Sequence, residues 1–318
     1  MTEGPDFGVV KEKFFAKIGY QPHSRAQYSY HQSQARFRIA CCGRRFGKSK
    51  MAGIDEAFRL LEPHDYADRY LSWIVGPTYD LGEKEFRVIW DTLIIKLKLG
   101  LDKKVKKSYN KKQGDMYIEF PWGTRVEVRS ATHPDSLVGE GLNRIIMSEA
   151  AKHTKETWER ILRPALSDKR GSADFPTTPE GHNWLYDLWR LGKDPDEPGY
   201  EAWNFPSWLN TVIYPGGQED EEILEMKRTM GNEEFEQEIA AIFSSFVGKI
   251  YPEFSERDHV RDHEFNPAWP NYMFFDFGYT NAFAALEVQV DPWDNVYVWR
   301  EHYVKNKNLP EHIAIMRN

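Results

Sequence analysis

A short apolar run, Phe37-Arg38-Ile39-Ala40, leads into Cys42-Gly43-Arg44-Arg45-Phe46-Gly47-Lys48-Ser49. The stretch that follows has apolar residues at Met51, Ile54, Ala57, Phe58 and Leu61. Spacings of three and four put those five on one helical face. The segment therefore reads as strand, glycine-containing loop and helix, from Lys48 to about Leu61, with Pro63 as the stop. Strand, loop and helix in this order are the context of a phosphate loop. Backbone N–H groups at the helix N-terminus, with its dipole, favour bound phosphate. Gly47 lets the backbone approach closely, Lys48 can reach the β- and γ-phosphates, and the Ser49 hydroxyl can bind Mg²⁺. The usual pattern places a glycine where Cys42 stands; Gly43 comes one residue late. An ordinary basic loop before a helix is the alternative, because Gly-Lys-Ser alone is common.

The rest of the chain alternates in the same way. Strands are expected at 71–75 and 143–147 and a hairpin at 116–120 and 125–130, with helices near 25–34, 83–99 and 154–166. This argues for an α/β layer with a mostly parallel sheet. Residues 192–199 suit a loop, and a helical stretch is expected from Glu219 to about Phe243. Three consecutive strands are expected at 272–278, 282–290 and 296–304, with a domain boundary near 262–270. The chain stops at Asn318 inside what reads as the start of another helix, so we expect a truncated second domain. The expected division is 1–200, a nucleotide domain; 201–261, a helical connector or lid; and 262–318, the first part of the second domain.

Composition narrows the possibilities. The 318 residues are 41% hydrophobic, enough for a real core. With 42 Lys+Arg against 49 Asp+Glu the net charge is −7, which excludes a uniformly basic nucleic-acid coat and leaves local patches. The best such patch is Lys103–Lys112, six lysines in ten positions. It reads either as phosphate contact with DNA or as a solvated loop. No apolar run approaches the roughly 18 residues of a membrane span, and the acidic Met1–Asp6 start, with no apolar run, is not expected to begin a signal peptide. Cys41 and Cys42 are adjacent, too close for ordinary disulfide geometry, which suits a reducing compartment. His259 and His263, near Asp258 and Asp262, have a metal-compatible spacing but read better as a linker.

A second acidic element is needed if the phosphate loop serves hydrolysis. Asn143-Arg144-Ile145-Ile146-Met147-Ser148-Glu149 supplies it: the apolar run fits a buried strand, and Glu149 at its end can polarise an attacking water. A solvated glutamate after a strand is the alternative. Ser148 stands where an Asp that helps to hold Mg²⁺ is usual. In Ser172–Gly181, Thr177 and Thr178 could place a hydroxyl near the γ-phosphate, though Thr-Pro-x-Gly is also an ordinary turn.

In this order and spacing the three elements resemble the large terminase subunit of tailed bacteriophages. So do Gln27 and His31 ahead of the loop, Asp135–Gly141, Arg163–Asp168 and Gly181–Leu188; the match runs from about Gln21 to Tyr303. The resemblance implies an additional-strand, catalytic-Glu ATPase domain followed by an incomplete RNase H-like nuclease. It implies a motor that uses ATP and Mg²⁺ to drive double-stranded viral DNA into a procapsid, and a nuclease using Mg²⁺ or Mn²⁺ to cut concatemers. On that reading Lys48 and Ser49 bind nucleotide and metal, Arg44 is a cis finger, and Glu149 is the hydrolytic base. Gln27 lies near the adenine, Gly43, Arg45, Phe46 and Gly47 complete the loop, and Thr177 or Thr178 couples hydrolysis to motion. An arginine acting on a neighbouring subunit would be Arg144, Arg160, Arg163 or Arg170. Phe274-Phe275-Asp276-Phe277-Gly278-Tyr279-Thr280-Asn281 resembles the first nuclease strand, with Asp276 its first metal ligand.

The implied partners are DNA, portal protein, small terminase subunit and further copies in a ring, with no membrane. The implied place is the host cytoplasm, transiently on the procapsid portal. A helicase-like DNA ATPase and a nucleotide-gated structural component with little turnover are the rival functions.

Overall fold

The computed structural model describes residues 7–62, 69–243, 259–278 and 282–317. Pro63, Asp258 and Tyr279–Asn281, invoked above, lie outside them. The chain divides into two compact units, Met1–Gly248 and Lys249–Asn318.

The first unit is built on one mixed eight-stranded sheet. Its strands are β1 (Phe37–Cys42), β2 (Tyr70–Gly76), β3 (Lys106–Asn110), β4 (Asp115–Glu119), β5 (Thr124–Ser130), β6 (Arg144–Met147), β7 (Ser172–Thr177) and β8 (Tyr200–Phe205). Their spatial order is β3-β4-β5-β2-β6-β7-β1-β8. From β5 to β8 all pairings are parallel, while β3-β4-β5 is an antiparallel edge. The central strands β1, β2 and β6 are buried at every position, which is why they read as mostly apolar runs, interrupted by Arg38, Ser72 and Arg144. β7 stands between β1 and β6, the additional-strand arrangement.

Helices α1 (Phe7–Ile18), α2 (Arg25–Gln32), α3 (Lys48–Arg59) and α4 (Tyr79–Trp90) belong to the first half of this unit. The helix expected over 83–99 is α4 followed by a π-turn at Asp91–Lys96. The one expected over 154–166 is another π-turn, Thr157–Leu162, running into α5 (Arg163–Ala165). There the Arg163 N–H bonds the Trp158 carbonyl five residues back. The wider turn accommodates Pro164, whose ring would crowd an ordinary α-helical turn. α6 spans Trp184–Leu191. The expected helix from Glu219 is two, α7 (Glu221–Thr229) and α8 (Asn232–Glu238), parted by Met230 and Gly231 in extended conformation.

One charged network lies inside this unit. Arg38 of β1, Asp55 and Glu56 of α3, Arg144 of β6 and Asp174 of β7 are each at most 1% exposed. Arg38 grips Asp174 through two nitrogens, at 2.6 and 2.7 Å, and reaches Asp55 at 2.6 Å. Arg144 pairs with Asp174 and Glu56, and Lys11 of α1 pairs with Asp55. Burial alone would raise the Asp55 carboxyl, but Arg38 and Lys11 outweigh it and hold it well below the usual range. Asp174 is lowered in the same sense by Arg144 and Arg38 against burial. His31 sits here too, bonded to Tyr20 and Asp55.

The second unit is an antiparallel sheet in the order β11-β10-β9, from β9 (Asn271–Asp276), β10 (Phe283–Val290) and β11 (Val296–Val304). The helix α9 (Leu309–Met316) follows, opened by an Asn308/Glu311 capping box.

Candidate functional site

The parallel strands β1, β6 and β7 end on the same side of the sheet, and the residues just beyond their C-terminal ends form the site. Between β1 and α3 the loop turns on Gly47, whose φ of 102° is the left-handed region that only glycine enters cheaply. Gly43 is a glycine for another reason. A methyl group there would run into the Ile239 carbonyl and Ser207 Oγ, so its smallness admits the segment after β8 onto the loop. That segment holds the loop's outer rim: Ser207 Oγ donates to the Arg44 carbonyl at 2.6 Å, and Asn210 Nδ2 to the Arg45 carbonyl at 2.7 Å. The Phe46 side chain is buried and stacked on Phe205, ring centroids 4.9 Å apart. Phe46 therefore anchors the loop and offers only its backbone to a ligand.

Glu149 follows β6 in a left-handed turn, φ 48°, and is 8% exposed. Its Oε1 lies 3.3 Å from Lys48 Nζ and 3.3 Å from Lys84 Nζ of α4. Lys48 Nζ also donates to Thr178 Oγ1 at 3.2 Å. Thr177 Oγ1 accepts from the Ala151 N–H at 3.0 Å and donates to the Thr178 carbonyl at 2.9 Å. The end of β7 is thus tied to the turn that carries Glu149. Behind it, Ser148 Oγ donates to Glu85 Oε2 at 2.7 Å, and His153 Nε2 donates to the Ser148 carbonyl at 3.0 Å. Burial pushes His153 down to about 4, so its ring is neutral. Burial raises the Glu85 carboxyl, opposed by hydrogen bonds from Ser148 and Ser49.

Two clefts flank the loop and share Arg45, Lys48 and Lys84. One, of about 380 Å³, gathers Arg44, Glu149, Thr178 and Glu238. The other, of about 590 Å³, is lined by His23, Gln27, Gly47, Ser49, Val212 and Ile213 among others. Gln27 is buried, and its Oε1 accepts from the His23 N–H at 3.0 Å. The Arg44 guanidinium pairs with Glu238, which raises it further. Burial drives the Cys42 thiol up to about 12 and Cys41 upward as well, so neither is a nucleophile.

Lys84 and Glu85 are the residues that sequence reasoning missed; they lie in no motif, and only the packing of α4 brings them here. Of the four candidate arginines, Arg144 is locked in the buried network and cannot reach a neighbouring subunit. Arg163 stacks on Phe37, and Arg160 is exposed beside Glu156. Asp276 ends β9 in the second unit and is exposed. Among the described residues no three acidic, His or Cys side chains cluster as a metal site. His263 stacks on Tyr297 and bonds Gln289 at 3.2 Å. No helix among the described residues is long and apolar enough to cross a membrane.

Fold and site together define an α/β domain with a mixed sheet, whose strand-to-helix loop presents Lys48 opposite Glu149. No protein-family model matches the chain. It is 30% identical to the large terminase subunit of Escherichia phage T5 over 335 aligned residues, covering 98% of this chain and 72% of that one. It is also 30% identical over 269 residues to the large terminase subunit of Thermus phage G20c, covering 76% of this chain and 52% of the relative. Its fold matches the large terminase ATPase domain of Thermus phage P74-26 with a TM-score of 0.61, at 26% identity over 73% of this chain and 98% of that domain. The chain belongs to the large terminase subunit family of phages. It spans about half the length of the Thermus relatives.

Proposed function

We propose that the first unit is the ATPase motor of viral DNA packaging. The observation that carries this is the meeting of Lys48, at the start of α3, and Glu149, just beyond β6, 3.3 Å apart, with the loop's backbone turned by Gly47 beside them. ATP is the substrate, its triphosphate lying along the loop at the N-terminus of α3. The base lies toward Gln27 and His23, between them and the Val212–Ile213 edge. Lys48 leaves Glu149 for the β- and γ-phosphates. Glu149, released from one lysine, accepts the proton of the attacking water. Arg44, exchanging Glu238 for phosphate oxygen, stabilises the charge that develops there. Thr177 and Thr178 pass the change from the γ-phosphate to the Glu149 turn.

Mg²⁺ fits this donor set, since Ser49 offers a hydroxyl and Glu85 and Glu149 hard carboxylate oxygens. Bound with ATP, it neutralises phosphate charge. Ser49 would hold it directly.

The second unit supplies, on this reading, the first strand of an RNase H-like nuclease with Asp276 as its first ligand for Mg²⁺ or Mn²⁺. The partners are double-stranded viral DNA, portal protein, small subunit and further copies of the chain in a ring, at the procapsid portal in the host cytoplasm. Comparing Glu149→Gln with wild type tests the motor: turnover should collapse while nucleotide binding persists. Equal turnover would favour a structural component gated by nucleotide.

A further inference from the structure

We infer that Glu85 of α4 is the acidic positioning residue of the nucleotide-bound metal, taking from a neighbouring helix the role that Ser148 leaves open on β6. The inference rests on the ATPase reading above and deepens it.

The geometry starts at Gly53. A methyl group there would lie 2.9 Å from the Glu85 carbonyl and 2.8 Å from Val88 Cβ. The missing side chain thus lets α4 cross α3 in close contact. Ser49 is one turn earlier on the same face of α3. The crossing therefore sets Glu85 against Ser49, the first-turn hydroxyl that would ligate the metal. The Glu85 carboxylate accepts a hydrogen bond from Ser148 Oγ at 2.7 Å, and the Ser49 hydroxyl is near enough to offset part of its burial. It thus bridges the phosphate loop to the residue just before Glu149.

The bonding pattern favours a metal role. Glu85 is 1% exposed. The described partners of its carboxylate are the Ser148 and Ser49 hydroxyls and its own backbone N–H, and its charged neighbour is the like-charged Glu149. A buried carboxylate whose described partners are all neutral is costly, and an apolar residue would pack the same space at lower cost. A divalent cation at Ser49 removes that cost. The carboxylate then fixes the Ser49 hydroxyl and a metal-bound water from the outer shell, the kind of contact that orients ligands and tunes metal affinity.

The test is the metal affinity of the ADP complex of the full chain, read by Mn²⁺ electron paramagnetic resonance at saturating ADP. Fluorescent ADP binding in EDTA is measured in parallel. Glu85→Gln should weaken Mn²⁺ binding by about tenfold, within the range for outer-shell partners, and leave ADP affinity in EDTA unchanged. Adding Ser148→Asp to that variant should restore most of the loss, because a carboxylate returns to the same pocket from the strand. Wild-type Mn²⁺ affinity in Glu85→Gln, or a loss that Ser148→Asp does not repair, overturns the assignment. If Glu85→Gln does not fold, Ser148→Ala decides: a several-fold weaker Mn²⁺ site supports the assignment, and an unchanged one overturns it. Failure of the wild-type chain to bind ADP with or without Mn²⁺ would instead overturn the ATPase reading on which the assignment stands.

Discussion

Lys48 Nζ and Glu149 Oε1 stand 3.3 Å apart although they are 101 positions apart in the sequence. The lysine opens α3, the glutamate follows β6 in a left-handed turn, and β7 lies between β1 and β6. Each is the charge partner the other needs while no phosphate is present. Lys48→Ala and Glu149→Gln should therefore fail differently. The first should weaken ATP binding by tenfold or more, since a lysine on phosphate is a charge-assisted contact. The second should leave binding near wild type. Isothermal titration with ATP in EDTA separates the two, and equal binding by both variants would count against the lysine's role.

The buried network makes a stability prediction. Replacing one partner, as in Asp174→Asn, leaves Arg38 and Arg144 under-compensated and should cost about 3–5 kcal/mol in urea unfolding. The sign with pH follows from the direction of the shifts. Asp55 and Asp174 are both held below the ordinary carboxylate value. Their contribution is complete above pH ~4 and is lost as pH falls through their folded values. Acid unfolding below pH ~4 should be steep in wild type and shallower in Asp174→Asn.

His153 governs a different window. Its folded value of about 4 lies below the ordinary 6.5, so the unfolded chain takes up a proton between those limits and the native chain does not. Stability should fall as pH drops from about 6.5 to about 4, by on the order of 3 kcal/mol in total. His153→Gln should abolish about one proton of that dependence. An unchanged slope would mean that the ring is charged or exposed in solution.

Much of this was legible in the sequence because fully buried strands are apolar runs and a helix shows its period. β1, α3, β2, β6 and all three strands of the second unit fall where their residues indicated. Other features depend on neighbours. β3 is lysine-rich and sits at the sheet edge, where one side faces solvent, so it carries no apolar pattern. The charges of Arg38, Arg144, Asp55 and Asp174 look incidental one at a time and make sense only once three strands and a helix converge. Lys84 and Glu85 reach the site because Gly53 allows two helices to touch, which no local pattern encodes. His31, part of the stretch ahead of the loop that carries the resemblance, bonds into the buried network.

The lysine run is now divided by its contacts. Lys106 pairs with Glu119, Lys111 with Asp80, and Lys107 donates to the Gly100 carbonyl. Lys103, Lys104 and Lys112 are exposed. If this edge touches DNA, alanine at those three should lower the slope of log affinity against log salt by about 1–3, at about 0.9 per phosphate contact. Filter binding of duplex DNA across salt concentrations measures it, and an unaltered slope would remove the edge from the DNA path.

The most direct measurement is steady-state ATP hydrolysis by the full chain and its Glu149→Gln variant, with double-stranded DNA present and absent, alongside ATP affinity. The geometry at β6 predicts turnover reduced by roughly 100-fold or more, as for loss of a general base, with ATP affinity within a few-fold of wild type. Turnover that survives the substitution, or that falls only in step with lost binding, would contradict the assignment of Glu149 and the motor built on it.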